Sequence, residues 1–109
     1  MNKTKKPIVY ISGKITGEKY YKRKFADAER KLKAAGYEVL NPARMIKVEK
    51  WKRYDDYLKE AFMLLFQADF FYALPCWVDS DGAKAEFAYA IALANKGRMF
   101  ILDNTKLAA

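Results

Sequence analysis

The chain contains no histidine, a single cysteine, three prolines and five glycines in 109 residues. Without histidine, Ser–His–Asp and Cys–His arrangements are excluded, as are the common His-containing metal sites. Any acid–base work must fall to carboxylate, tyrosine or lysine side chains. One thiol, Cys76, cannot form an intramolecular disulfide, so a reducing, cytoplasmic compartment is the simplest expectation. Beside Pro75, that cysteine reads as a small buried hydrophobe rather than a reactive group. No apolar run reaches membrane-spanning length, and no membrane association is expected. The basic start Met1–Pro7 leads straight into a strand pattern, without the apolar region and small-residue cleavage site of a signal peptide. Asp55-Asp56 and Asp79-x-Asp81 are isolated acidic pairs without further ligands. They read as caps and surface charges, so no metal and no cofactor is assigned.

Just over half of the residues are hydrophobic, at 52%, which is enough for a core and argues against disorder. The length suits one domain over residues 1–109, with a core over 7–102 and flexible ends at 1–6 and 103–109. The formal net charge of +8 points to an anionic partner. The excess gathers in Lys19, Lys22, Arg23, Lys24, Arg30, Lys31 and Lys33, and again between Arg44 and Arg53. Such charge equally describes a solvated helix face and a basic loop. Trp51 and Tyr54 among the second group permit base stacking, but they also fit the buried start of a helix.

Ile8 to Ser12 is an apolar run ending at Gly13, the pattern of a strand buried on both faces. Tyr21, Phe25, Ala28, Leu32 and Ala35 then share one helical face, stopped by Gly36. Tyr37 to Leu40 forms a second strand, ended by Asn41-Pro42, and a basic loop follows. Tyr57, Leu58, Ala61, Phe62 and Leu65 mark a second helix within Tyr54 to Gln67. Asp69 to Leu74 is a third strand, closed by Pro75. Ala83 to Lys96 is a third helix, with Ala83, Phe87, Ala90, Ile91 and Ala94 as its packing stripe and Gly97 as its stop. Met99 to Leu102 is a fourth strand. This alternation predicts an α/β domain of three layers, Rossmann-like or flavodoxin-like, with a small parallel sheet of about four strands and helices on both faces. Ligands of such sheets bind beyond the carboxyl ends of the strands, here Ser12-Gly13-Lys14, the Asn41 loop, Pro75 to Gly82 and Asp103-Asn104.

Two segments in that region carry chemistry. Tyr10-Ile11-Ser12-Gly13-Lys14-Ile15-Thr16-Gly17 is a strand running into a turn with two glycines, able to bring backbone close to a ligand. It is neither a dinucleotide fingerprint nor a Walker loop. In the second segment, Ser80 or Asp81 is a natural N-cap for the third helix, and that helix start is equally a ready anion site. Glu86 lies one turn inside, near the packing stripe, with little bulk around it. A carboxylate so placed needs a partner or a task. Glycosidic chemistry would supply one, because an oxocarbenium-like sugar is stabilised or captured by a buried carboxylate while a second group protonates the departing base.

Tyr10-x-x-Gly13, Ala68-Asp69 and Ser80-x-Gly82-x-x-x-Glu86-x-x-Tyr89-Ala90 resemble the motifs of the nucleoside 2-deoxyribosyltransferase superfamily. The Ser-x-Gly-x-x-x-Glu arrangement is similar to that of its 2′-deoxynucleoside 5′-phosphate N-hydrolases. Gly13 to Gly17, Asn41-Pro42 and Trp77 to Ala83 resemble a short branch of the superfamily common in phages and prophages. The resemblance implies Glu86 as nucleophile, Tyr10 as the group that orients it, Gly13 as the point of ligand approach, and Ser80 as a 5′-phosphate contact beside Gly82. It places Thr16 where the family often has an arginine for phosphate, with Lys14 near, and adds Asn41 to the binding residues. It also implies an assembly of several copies, a homo-oligomer, an expectation that the aromatic-rich second helix and its flanks share. Besides Thr16, a second position departs from the pattern: Ala61 stands where the superfamily usually carries an acidic residue, with Glu60 about 100° away round the helix.

The resulting expectation is an enzyme of the nucleoside or nucleotide N-glycosidic bond, a transferase or hydrolase using Glu86. The alternatives are a nucleotide-like ligand binder without catalysis, acting as sensor or sink, and a basic nucleic-acid-binding module.

Overall fold

The computed structural model describes residues 6–49 and 51–102. Of the features above, residues 1–5, Lys50 and the Asp103-Asn104 strand end lie outside those residues, as does the side chain of Cys76. In chain order the elements are β1 (Ile8–Ser12), α1 (Tyr21–Ala34), β2 (Glu38–Leu40), α2 (Pro42–Met45), α3 (Tyr54–Leu65), β3 (Phe70–Ala73), a 3-10 turn (Pro75–Asp79), α4 (Asp81–Asn95) and β4 (Phe100–Leu102).

All strand pairings are parallel, in the order β2-β1-β3-β4. The chain therefore steps from β1 to one side, returns across it, and continues outward through β3 and β4. Because crossovers between parallel strands are right-handed, a reversal of direction also reverses the face that the helix covers. Accordingly α1 packs Phe25, Ala28 and Leu32 against Val9, Ile11, Val39 and Tyr72 on one face. On the other, Leu65 of α3 and Ala90 of α4 meet Tyr10, Phe71 and Ala73. Each large side chain so buried contributes about 1.5–3 kcal/mol relative to leaving it in water. This is the three-layer α/β architecture expected. The reversal falls between β1 and β3, and it opens a crevice at their carboxyl ends.

The start of the sheet is tied down at the opposite end. The Asp69 carboxylate accepts a hydrogen bond from the Ile8 backbone N–H at 3.0 Å, and the Asp69 N–H donates to the Ile8 carbonyl at 2.8 Å. Asp69, part of the Ala68-Asp69 motif, thus pins β1 to β3 at their amino ends, away from the crevice.

Three local expectations change. The stretch read as a basic loop after Asn41 begins with α2, a single turn too short to show a periodic pattern. The segment after Pro75 closes into a 3-10 turn. Ile91, expected on the packing stripe of α4, is 43% exposed, and Leu93 packs against the core instead. The apolar residues of α4 wrap around most of its circumference, so which of them faces inward is set by the sheet rather than by their spacing. On the far side of α3 and α4, Phe62, Phe66 and Tyr89 form a cluster of touching rings, with Phe66 and Met63 exposed.

Candidate active site

Glu86 projects from the second turn of α4 toward β1. Its flanking neighbours on that face, Ala83 and Ala90, are 2% and 0% exposed. Their small side chains let the helix lie close to the sheet, and the longer Glu86 reaches across. There the Tyr10 hydroxyl donates to Glu86 Oε2 at 2.8 Å and the Ser12 hydroxyl donates to Oε1 at 2.6 Å. Tyr10 and Ser12 are alternate residues of β1, so both point to the same face. Glu86 itself is 6% exposed. Burial pushes its carboxyl above the usual carboxylate range, and the hydrogen bonds from Ser12 and Tyr10 offset only part of that. Burial, and then the negative charge of Glu86, hold the Tyr10 hydroxyl well above its ordinary value, so it remains a donor.

The carboxylate borders a cavity of about 260 Å³ at the carboxyl ends of β1 and β3. Gly13, Ile15 and Thr16 form one wall, Pro42 and the α3 side chains Tyr54, Tyr57 and Leu58 another, and Asp79 to Ala83 a third. Of the residues anticipated from sequence, Tyr10, Gly13, Thr16, Ser80, Gly82 and Glu86 meet around this one space. Two do not line it. Lys14 acts on Glu18, whose carboxylate is held low chiefly by Lys24. Asn41 is engaged elsewhere: its amide donates to Glu29 Oε1 at 2.8 Å, and its side-chain oxygen accepts from the Ala43 N–H at 2.9 Å, capping α2. From that dipeptide it is Pro42 that reaches the cavity.

Ser80 is the N-cap of α4, its hydroxyl accepting from the Ala83 N–H at 3.1 Å. Trp77, in the preceding 3-10 turn, packs its ring against Phe87 of α4 at a 32° tilt, with ring centres 4.4 Å apart. A side chain on Gly13 would crowd the buried Leu74, whereas one on Gly82 would push aside the end of the half-exposed Tyr54. A Cβ on Gly13 would lie 2.7 Å from Leu74 Cδ1, and one on Gly82 would lie 2.9 Å from the Tyr54 hydroxyl. The glycine in the first motif that needs the left-handed region is Gly17, at φ 80°.

The charge of the cavity runs opposite to that of the chain. Among the described residues lining it, the charged groups are Asp79, Asp81 and Glu86, all carboxylates. The basic residues of α1 face solvent and in part pair locally, as in Lys24–Glu18, Arg30–Asp27 and Lys33–Glu29. Among the described residues no group of three or more His, Cys, Asp or Glu gathers as for a metal ion, and no described helix is long and apolar enough to cross a membrane.

Two features were missed from sequence. Ser12 was read only as a strand end, yet it makes the shorter bond to Glu86; its position two residues after Tyr10 was the available signal. Tyr54, expected either to stack on a base or to start the helix buried, is half exposed and forms cavity wall, as does Tyr57, expected on the helix face. Ala61, where the resemblance looks for an acid, is 1% exposed in the core, while Glu60 is drawn to Lys52 at 2.6 Å.

A family model described as Domain of unknown function (DUF4406) matches residues 7–97. The chain belongs to the DUF4406 family. The matched span runs from the start of β1 to the end of α4, so this DUF4406 domain includes every residue of the cavity described above. None of the curated proteins compared with it matches.

Proposed function

We propose that this DUF4406 domain breaks the N-glycosidic bond of a nucleoside, with the Glu86 carboxylate attacking or stabilising the anomeric carbon. One observation carries the reading: a buried carboxylate, both of its oxygens held by hydroxyl donors, borders a cavity whose charged lining is anionic throughout. Such a wall favours the positive charge that develops on a sugar ring as its base departs. Tyr10 and Ser12 fix the carboxylate in one orientation, and Tyr10, as the resemblance to the nucleoside 2-deoxyribosyltransferase superfamily implies, aims it. Burial keeps the carboxylate poorly solvated and therefore reactive.

The same wall bears on the substrate. A 5′-phosphate at Ser80 would meet Asp79 and Asp81, and although Lys84 stands 3.6 Å from Asp81, no cation lines the cavity itself, so the neutral nucleoside is the preferred form. The direct test is incubation with common deoxynucleosides, ribonucleosides and their monophosphates, followed by chromatography for free base. Release that is lost in Glu86→Ala supports the reading; no release, or equal release by the variant, defeats it.

Binding without turnover is the second reading, favoured by the apolar Ala61 and the diversion of Glu60 to Lys52. It predicts thermal stabilisation by a nucleoside or nucleotide with no free base. The exposed aromatic cluster of α3 and α4 is the surface we assign to a second copy of the chain, which sedimentation against concentration would test.

A further inference from the structure

Beside the Glu86 cavity lies a second one of about 430 Å³, walled by Tyr21, Val48 and the loop that leads into α3. The two share Ile15, Thr16, Tyr54 and Tyr57, so these four residues stand at their junction. The first space is smaller than the ~300 Å³ from which small-molecule sites usually begin. A nucleoside with its sugar against Glu86 has room to extend its base into the second space, where Tyr21, Tyr54 and Tyr57 offer ring faces beside Lys52 and Arg53. The bond to be broken would then cross the junction. Resting on the proposed N-glycosidic reading, we infer that Tyr57 is the catalytic residue that donates the proton to the departing base, in place of the acid absent at Ala61.

Tyr57 lies four residues before Ala61 on α3, one turn away on the same face. Among the described residues, none accepts a hydrogen bond from its hydroxyl, which leaves that proton available to a ligand. Tyr54 is also at the junction but is half exposed, and its hydroxyl sits against Gly82 at the start of α4. Burial first, and then the charge of Glu86, raise the Tyr57 pKa, so the group is fully protonated at neutral pH. When the Glu86 oxygen bonds to the anomeric carbon its negative charge is consumed, and that contribution to the raised pKa disappears. The hydroxyl becomes a stronger acid as the base leaves.

The step balances. A Glu86 oxygen forms a bond to the anomeric carbon while the carbon–nitrogen bond breaks, its electron pair going to the base nitrogen, which takes the Tyr57 proton. In hydrolysis a water oxygen then bonds to the anomeric carbon as the carbon–oxygen bond to Glu86 breaks, its electron pair returning to the carboxylate, and the water gives a proton to the Tyr57 oxygen, restoring both residues and releasing the sugar.

The test compares wild type, Tyr57→Phe and Tyr54→Phe on 2′-deoxyadenosine and on 7-methyl-2′-deoxyguanosine, whose base leaves as a neutral molecule and needs no proton. Thermal melts confirm that each variant is folded. Tyr57→Phe is expected to lose about 100- to 10,000-fold on the first substrate, the usual worth of a positioned acid, and under about tenfold on the second. Tyr54→Phe should affect both substrates alike. Equal losses by Tyr57→Phe on the two substrates would overturn the role of Tyr57 and leave the Glu86 reading standing. No release of base from either substrate by wild type would overturn both.

Discussion

Replacing Glu29 by glutamine removes a charge that the fold uses for stability rather than chemistry. Glu29 lies on α1, buried, and accepts from the Asn41 amide at 2.8 Å and from the Arg44 guanidinium at 3.2 and 3.0 Å. Lys33, one turn later on α1, stands 2.8 Å away. Burial alone would raise its pKa, yet the bonds from Lys33, Arg44 and Asn41 overcome that and hold it down from 4.5 to about 2. Linkage converts such a depression into about 3 kcal/mol of stability above the carboxylate range. Lys33 and Arg44 are 58% and 57% exposed, so solvent screening reduces the figure to about 2 kcal/mol. Between the two pKa values the unfolded chain binds more protons than the folded one, and stability falls as pH drops from about 4.5 toward 2. Glutamine has no such titration. Glu29→Gln should therefore cost about 2 kcal/mol near pH 7, a fall of about 10 °C in Tm for a domain of this size, and only about 1 kcal/mol near pH 3. Urea unfolding of both proteins at the two pH values measures this. A variant as stable as wild type near pH 7, or a gap that does not narrow on acidification, would refute the reasoning.

Glu86 should behave in the opposite sense. Its folded pKa is raised by burial, so the stability it contributes is complete below the unfolded carboxyl pKa and is lost as pH rises through the folded value. Glu86→Gln is expected to abolish base release and to gain stability relative to wild type as pH rises above about 4, because only the ionised carboxylate carries the burial penalty; a stability difference in urea titrations that does not move toward the variant as pH rises contradicts this. Gly13→Ala places a Cβ 2.7 Å from Leu74 Cδ1 and 3.1 Å from Leu74 Cβ. Because Leu74 is buried, the crowding should cost about 1–3 kcal/mol, and an unchanged Tm would argue against it. Calorimetric titration should find a nucleoside tighter than its 5′-phosphate by several-fold, with Asp81→Lys narrowing the difference; a tighter phosphate would count against the anionic wall.

The contrast between the two glutamates shows where sequence reasoning stops. Both are buried glutamates on helices; the small residues around Glu86 mark its position, but nothing local says which groups will meet it. Glu29 meets cations from its own helix and from α2, whereas Glu86 meets two hydroxyls from a strand 74 and 76 residues away. Asn41 shows the same limit. Its place at a strand end marked it for a ligand, but the short α2 that it caps and the Glu29 that it holds are visible only once α1 and β2 pack.

The order of the four strands and three long helices, most of the packing faces of α1 and α3, and the parallel three-layer fold were written in the sequence, because hydrophobic spacing and turn residues act over a few neighbours. The position of Glu86 was written there too, as a carboxylate among small residues one turn into a helix. Only the tertiary structure decided which groups surround it. The return of the chain across β1 brings Tyr10 and Ser12 under α4, sets Tyr54 and Tyr57 of α3 opposite, and leaves the cavity anionic within a basic chain. Pairings across that distance depend on strand order and crossover handedness, and no local pattern encodes them.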